Sequence, residues 1–465
     1  MIINRRKFLK ASLAAAGSAM IAGGLRPSFS FSQTFSSEPF YLIWINQLGG
    51  ADMKAILPYT KGAIHSLLAG YRPNINPSSP LTLGSFNQNG RSNLRGFNPG
   101  FADLVTYLNT NTDIGCTIVS ETGITKNHSF SHEIAQQSII AASALNENQL
   151  IGGWFARLID TLKLQSAQAW SIGYNNSFFL NSQTQPAMVL SSLENFNFRE
   201  RNFGNFQCLE GTCEGAAITS GDRTSSGGDD STLARAFARE LNNQRDEVAF
   251  DDALKRFSEG IFPSVELISN ANTIIPSHAI SGFRPGGIYV NTSSRFQNSL
   301  LDIARVITLA RQGDAPIQLR NSSLFFATAI GGWDTHNNQA NSANLSRTVA
   351  ILGAAIKGLL ESLKNAGALN RAAIIVQSEF GRTARENGSQ GTDHGWGSDM
   401  LVLGGKVFRG VLGPESEIRG NNFVAAQSHT NVLKAVLRQA GLNNDQLMQI
   451  FPDIYPGEVN LPLFI

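Results

Sequence analysis

The strongest constraint on this chain is a rhythm in which short apolar runs rich in β-branched residues alternate with longer segments whose apolar residues return every three or four positions. Runs of the first kind are Tyr41–Gln47, Ile114–Ser120, Ala169–Gly173, Ser323–Ile330, Ala372–Gln377 and Met400–Leu403. Their short, continuous apolar stretches read as strands covered on both faces. Segments of helical period are Gly100–Leu108, Ser131–Leu145, Gly153–Leu164, Leu233–Arg256, Phe296–Arg311, Asn341–Asn365 and Thr430–Gln439. Strand and helix taking turns favours a mostly parallel central sheet with helices on both faces. The expected fold is therefore α/β, a three-layer sandwich.

Composition narrows the class further. Of 465 residues 42% are apolar, enough for a large core, and 15% are charged, against roughly 25% in an average soluble domain. Collagen, coiled coil and general disorder are excluded, and no fixed-period repeat is visible. Residues 33–465 read as one domain with an insertion around 175–295. Within it, the polar stretch from Thr219 to Thr232 lacks the apolar residues needed for a core. Five basic residues and no acid occur in the first 32 positions, so the rest of the chain carries 32 basic against 35 acidic side chains. Without a basic stripe, nucleic acid is not an expected partner.

The amino terminus, Asn4-Arg5-Arg6-Lys7-Phe8-Leu9-Lys10 followed by a weakly apolar stretch from Ala11 to Leu25, resembles a twin-arginine signal peptide. The apolar part spans about 15 residues, short of the ~20 that a membrane-crossing helix requires. Residues 1–32 are thus expected to be removed near Gln33, leaving no permanent membrane span and a periplasmic or secreted product. That resemblance implies the twin-arginine translocase as a partner during export of an already folded protein, which leaves room for a cofactor or metal to be loaded before the membrane is crossed. In an oxidising compartment Cys208 and Cys213 are close enough in sequence to bridge, with two free thiols as the alternative; Cys116 reads as buried and inert.

Three carboxylates share one local context. Asp52, Asp334 and Glu379 each lie just beyond the carboxyl end of an expected buried strand, the edge at which open α/β sheets bind ligands. His336 is two residues from Asp334, and Asp393-His394 follows Glu379 across a Gly-rich turn. Carboxylates gathered in one crevice repel unless they are protonated or bridged by cations, and a carboxylate and histidine set suits a divalent metal such as Zn or Mn. Each residue also has a simpler explanation: Asp334 and Thr335 capping a helix, Glu379 pairing with Arg382, Asp393 bracing a loop. Ser131 and His132 precede a helical run, where a hydroxyl caps the helix, attacks a substrate or helps bind an anion. His132 is open to roles as metal ligand or general base, and Arg382 to gripping an oxyanion with its planar fork. His65, His278 and His429 read as structural.

The motifs Leu48-Gly49-Gly50-Ala51-Asp52, Ser131-His132, Gly332-Trp333-Asp334-Thr335-His336, Ser378-Glu379-Phe380-Gly381-Arg382 and Gly391-Thr392-Asp393-His394-Gly395-Trp396-Gly397 resemble the bacterial family known as domain-of-unknown-function family 1501. That family is similar to the alkaline phosphatase and sulfatase superfamily, whose sheet-edge carboxylates and histidines hold divalent metal around a Ser, Thr or formylglycine nucleophile. The resemblance implies Asp52, Asp334, His336, Glu379, Asp393 and His394 as metal ligands and Ser131 as the nearest candidate nucleophile; His132 and Arg382, from their own chemistry, complete the expected catalytic set. It departs at Ser378-Glu379-Phe380-Gly381, where the superfamily commonly has Ser-Asp-His-Gly, so His394 would have to supply the imidazole. No Cys-x-Pro-Ser-Arg signature occurs, which argues against formylglycine chemistry. The expectation is an exported metal-dependent hydrolase of a small anionic ester, phosphate or sulfate. The alternative is a non-catalytic exported binding or assembly protein on a degenerate hydrolase scaffold.

Overall fold

The structure, a computed structural model, describes residues 38–76, 79–123, 131–142, 152–180, 182–184, 187–191, 193, 295–312, 319–320, 322–339, 343–452 and 459–465. The expected signal segment, Cys208, Cys213, His128, His278, the polar stretch 219–232, the helix Leu233–Arg256 and most of the insertion lie outside the described residues.

Among the described residues, nine strands make one sheet: β1 Tyr41–Gln47, β2 Gly115–Gly123, β3 Ala169–Ile172, β4 Met188–Leu190, β5 Leu324–Ile330, β6 Ala372–Ser378, β7 Ser398–Gly404, β8 Gly410–Leu412 and β9 Gln427–Ser428. Their order is β8-β2-β7-β6-β1-β5-β3-β4, with β9 also on β2. Only β7 runs against its neighbours; the other pairings are parallel. Tyr41 stands opposite both Leu324 and Ala372, and Gln47 opposite both Ile330 and Ser378. The three central strands therefore end in step, and the segments that follow them leave the sheet side by side.

The helices are α1 Met53–Ile56, α2 Ala63–Tyr71, α3 Ala102–Thr110, α4 His132–Ala141, α5 Trp154–Leu162, α6 Ser177–Leu180, α7 Arg295–Gln312, α8 Ala343–Asn365, α9 Thr430–Gln439 and α10 Asn444–Ile450. Alternate side chains of a strand point to opposite faces. Tyr41, Ile43 and Ile45 pack against Leu104, Leu300 and Leu352 of α3, α7 and α8. Leu42 and Trp44 pack against Ile139, Leu158, Phe179, Val432 and Leu447 of α4, α5, α6, α9 and α10. The sheet is buried on both faces, which is why its central strands read as unbroken apolar runs. The result is the expected α/β sandwich with a mostly parallel sheet. No helix among the described residues is long and apolar enough to cross a membrane.

Differences from the sequence reading have local causes. Strand β2 continues past Ser120 to Gly123, because Thr122 still pairs with Ser398 of β7 and Gln427 of β9. Helix α4 closes at Ala141, since Ala142 turns into the left-handed region with φ 46°. At the same sheet edge a buried charge cluster joins α1, β2 and β7. Lys54 Nζ donates to Glu121 and, at 2.8 Å, to Asp399, while Arg95 donates to the other oxygen of Asp399.

Candidate metal centre

The segment after β1 turns sharply through Gly49 and Gly50, at φ +113° and +69°. A Cβ on Gly49 would sit 2.7 Å from the Asp334 backbone nitrogen, and one on Gly50 would overlap the Phe380 ring. Glycine is thus required where the three strand extensions converge. The extension of β5 is held against the loop 387–393 by backbone bonds from Asn338 to Ser389, Gln339 to Gln390 and Thr392 to Thr335, each 2.9–3.1 Å. A two-residue antiparallel pairing, His394 with Arg382 and Gly395 with Gly381, folds that loop back over the end of β6. His394 arrives beside His336 by this route.

Four donors converge: His132 at the start of α4, Asp334 and His336 after β5, and His394. One ligand atom from each lies within 4.8 Å of all the others. His336 Nε2 is 2.8 Å from His394 Nε2 and 3.2 Å from Asp334 Oδ1. His132 Nε2 is 3.6 Å from Asp334 Oδ2, and His394 Nε2 is 3.7 Å from Asp334 Oδ1. The Phe380 ring lies under His132 and His394, with centroid separations of 5.0 and 4.5 Å, and gives the group an apolar floor.

The Nδ1 atoms of His132 and His336 meet carboxylates. His132 Nδ1 bonds to Glu379 Oε1, and His336 Nδ1 to Asp393 Oδ1 at 3.1 Å. Glu379, its side chain fully buried, also accepts from Gly49 N at 3.2 Å and Gln136 Nε2 at 2.5 Å. A carboxylate on Nδ1–H fixes the tautomer with its lone pair on Nε2 and turns the ring toward the common centre. Asn387 Nδ2 donates to Asp393 at 2.9 Å and is the largest cause holding that carboxyl below its ordinary pKa. Partial burial raises the Asp334 carboxyl, but the bond and charge of Arg382 outweigh it and keep Asp334 below its usual value. The donor set is three imidazole nitrogens and one carboxylate, the chemistry that suits a divalent first-row metal.

Of the residues expected from sequence, Asp334, His336 and His394 stand in this group. His132 joins them as a ligand candidate. Glu379 and Asp393, expected as ligands, stand one step back and bond to the imidazoles of His132 and His336.

Asp52 stands apart. It is buried, caps α1 by accepting from Ala55 N at 3.2 Å, and takes Arg72 Nη1 on both oxygens at 3.0 and 2.9 Å. Gln339 Nε2 adds a bond of 2.6 Å. Both carboxylate oxygens are engaged inside the fold, so we correct the expectation of Asp52 as a ligand.

Arg382 differs as well. Its guanidinium donates to the carbonyls of Gly49, Gly50, Trp333 and Thr392 and, at 2.8 Å, to Asp334 Oδ1; Nη1 also lies 3.3 Å from His336 Nε2. Of its five N–H groups, four are taken up by backbone carbonyls and Asp334, and the fifth faces His336 Nε2. Arg382 buckles the three strand extensions together and orients Asp334; it does not pair with Glu379. Ser131 is exposed as the first residue before α4, and its side chain makes no capping bond to that helix.

Comparison with known proteins gives the following. A solved structure of Ps i-CgsB in complex with k-i-k-neocarrahexaose is 9% identical, covering 90% of this chain and 76% of that one, with a TM-score of 0.36. A protein in the alkaline phosphatase superfamily from Vibrio parahaemolyticus is 9% identical, covering 95% and 76%, with a TM-score of 0.34. The lipoteichoic acid synthase LtaP from Listeria monocytogenes is 7% identical, covering 94% and 80%, with a TM-score of 0.32. No curated protein sequence matches this chain. Residues 312–453, which carry Asp334, His336, Glu379, Arg382, Asp393 and His394, match the family model described as "Protein of unknown function (DUF1501)".

Proposed function

We propose that the protein is an exported metal-dependent hydrolase of a phosphate or sulfate ester. The observation that carries this reading is the convergence of His132, Asp334, His336 and His394, with Glu379 and Asp393 on two of the imidazoles. Those four residues would hold one divalent cation. Of Zn and Mn, the imidazole-rich set favours Zn, since Mn prefers oxygen donors. A cation there supplies Lewis acidity toward an anionic ester.

The chain's own groups have separable tasks. Glu379 and Asp393 hold protons on Nδ1 of His132 and His336 and so keep Nε2 available. Arg382 fixes the rotamer of Asp334 and keeps it ionised. The apolar face of Phe380 excludes water beneath the imidazoles. To the Ser131 hydroxyl, exposed beside His132 at the amino end of a ten-residue helix, we assign attack on the ester or contact with its anionic oxygens.

The test is metal content of protein purified without chelator, followed by turnover of aryl phosphates and aryl sulfates with and without added Zn or Mn. Near one bound metal per chain and metal-dependent turnover lost in Asp334→Ala are expected. Well-folded, metal-free protein that takes up neither ion would sink the reading.

A second reading, a non-catalytic exported binding protein, is favoured by the internal saturation of Asp52 and Arg382. It predicts metal uptake with no turnover of either ester class. Export by residues 1–32 is checked by replacing Arg5 and Arg6 with Lys: the processed form should vanish from the periplasmic fraction, and unchanged processing would exclude a twin-arginine route.

A further inference from the structure

Along residues 334–339, Asp334, Asn337 and Asn338 are exposed and His336 is half-buried, whereas Thr335 and Gln339 turn inward and are buried. The Gln339 amide is the hub beneath this segment. Its Oε1 accepts from Thr335 Oγ1 at 3.0 Å and from Thr392 Oγ1 at 2.7 Å, and its Nε2 donates to Asp52 Oδ2 at 2.6 Å. Thr335 separates Asp334 from His336, and Thr392 precedes Asp393-His394. One amide oxygen therefore ties together the two segments that supply three of the four donors at the metal centre. The backbones meet at the same place. Thr392 N donates to the Thr335 carbonyl at 3.1 Å, and a Cβ on Gly391 would lie 2.1 Å from the His336 carbonyl oxygen, so no side chain fits between the two segments.

Asp52 decides which way the amide faces. An amide oxygen turned toward its carboxylate would meet a second acceptor with no proton between them. The carboxylate thus selects the orientation with Nε2 toward itself and Oε1 toward the two hydroxyls. A Thr hydroxyl can otherwise donate or accept; here both donate to one oxygen and use its two lone pairs. Arg72 holds Asp52 in turn, and its other nitrogens donate to the carbonyls of Ala384 and Thr383. Thr383 closes the circuit, because its N–H donates to the Asp393 carbonyl at 3.0 Å and its hydroxyl accepts from Asp393 N at 3.1 Å. Asp52, Arg72, Thr335, Gln339, Thr383 and Thr392 are all buried, where such linked bonds are stronger than in water.

We propose that Gln339 is a positioning residue for the metal centre: oriented by the Arg72-bound Asp52 carboxylate, its amide clamps Thr335 to Thr392 and so sets Asp334 and His336 against His394. This role rests on the metal site proposed above, whereas the clamp itself does not.

Thr335→Val and Thr392→Val each keep the side-chain shape and remove one bond to Gln339, while Gln339→Leu removes all three. Zn affinity, read by chelator competition, should fall about tenfold in each Val variant and up to about a hundredfold in Gln339→Leu. Thr335→Ser and Thr392→Ser, which restore the hydroxyl, should recover most of the loss. With Co(II) in place of Zn, the visible absorption bands should shift in the Val and Leu variants, since they report ligand geometry, and return in the Ser variants. In metal-free protein, hydrogen exchange of the Thr392 amide should quicken in both Val variants while that of the β1 amides holds; unchanged exchange at Thr392 would remove the clamp. A merely structural role predicts a lower melting temperature with Zn affinity and Co(II) bands unchanged, and that result would overturn the proposal. Should Gln339→Leu fail to fold, the two Val variants decide. Wild-type protein that binds neither ion would sink the metal reading and the positioning role with it, whereas wild-type and variant proteins that bind equally well would sink the positioning role alone.

Discussion

His336 and His394 direct their Nε2 atoms at each other across 2.8 Å, with Asp334 Oδ1 lying 3.2 Å from the first and 3.7 Å from the second. Two imidazole nitrogens at this separation, with a carboxylate beside them, form a set that suits one shared divalent cation. Titration with Zn should give a stoichiometry near one and raise the melting temperature, since saturation at a hundred times Kd stabilises by about 2.7 kcal/mol. His336→Ala and His394→Ala should each weaken binding by more than about a hundredfold, beyond the loss expected for an outer partner. An unchanged Zn isotherm in either variant would remove these histidines from the centre.

The carboxylates behind the imidazoles should matter unequally. Glu379→Gln and Asp393→Asn preserve shape but remove the charge that holds Nδ1–H, and such changes cost about 10–100-fold in metal affinity. Glu379 is fully buried at its side chain, whereas Asp393 is 57% exposed, so water can replace part of what Asp393 provides. Chelator competition should therefore place Glu379→Gln at the upper end of that range and Asp393→Asn at the lower end. The reverse order would mean that His336 depends on its partner more than His132 does.

The boundaries of β1 and α9 were legible in sequence because burial on both sheet faces and an uninterrupted amphipathic period leave a strong local pattern. The same logic located Asp334 and Glu379, since both follow runs that had to end at the sheet edge. The shell to which each residue belongs was not legible. Asp52 and Asp334 have the same Gly-Gly-x-Asp surroundings in sequence. Only the fold brings Arg72 and Gln339 to one and Arg382 and three imidazoles to the other. The exchange of Glu379, expected as a ligand, for His132 in the four-donor group has the same origin, because a helix start 247 residues away supplies the imidazole. A signal for His132 existed in its place before an amphipathic segment, but nothing in the spacing ranked it above Ser131. The Lys54–Glu121–Asp399–Arg95 cluster left no sequence signal, as its members are isolated charges in separate motifs.

Gly50 offers a stability test of the converging turn. Its positive φ already disfavours a side chain, and a Cβ would run into the Phe380 ring. Strain of about 1–3 kcal/mol for the backbone and a similar amount for overpacking should add in Gly50→Ala. Denaturant unfolding should show a loss of at least about 2 kcal/mol, with Zn affinity falling as well because Phe380 supports His132 and His394. A variant as stable as wild type would mean that the turn relaxes freely.

Lys54 is the cation on which two buried carboxylates depend. Burial alone would raise the Asp399 carboxyl, but Arg95 and Lys54 reverse this and bring it to about 2, while Glu121, in the same cluster, is pushed upward by burial. Lys54→Met removes the shared ammonium and leaves Glu121 without a cation bonded to it. Breaking such a buried pair on one side costs about 3–5 kcal/mol, and the double variant Lys54→Met/Glu121→Gln should recover part of it. Equal stability of the single variant and wild type at pH 7 would show that water reaches the cluster.

His429 lies outside the metal group and provides a pH test of the fold itself. Burial lowers its pKa from 6.5 to about 4, although the carbonyls of Gly123 and Ile139 pull the other way. The folded protein keeps this imidazole neutral, while the unfolded chain takes up a proton below about pH 6.5. Its contribution is therefore complete above that pH and is lost as the pH falls toward 4, by about 3 kcal/mol in total. Urea unfolding of metal-free protein between pH 7 and 4.5 should show this decline. His429→Gln, which carries no proton equilibrium, should flatten the slope even if it lowers stability at pH 7. An identical acid slope in the variant would place the loss at other groups.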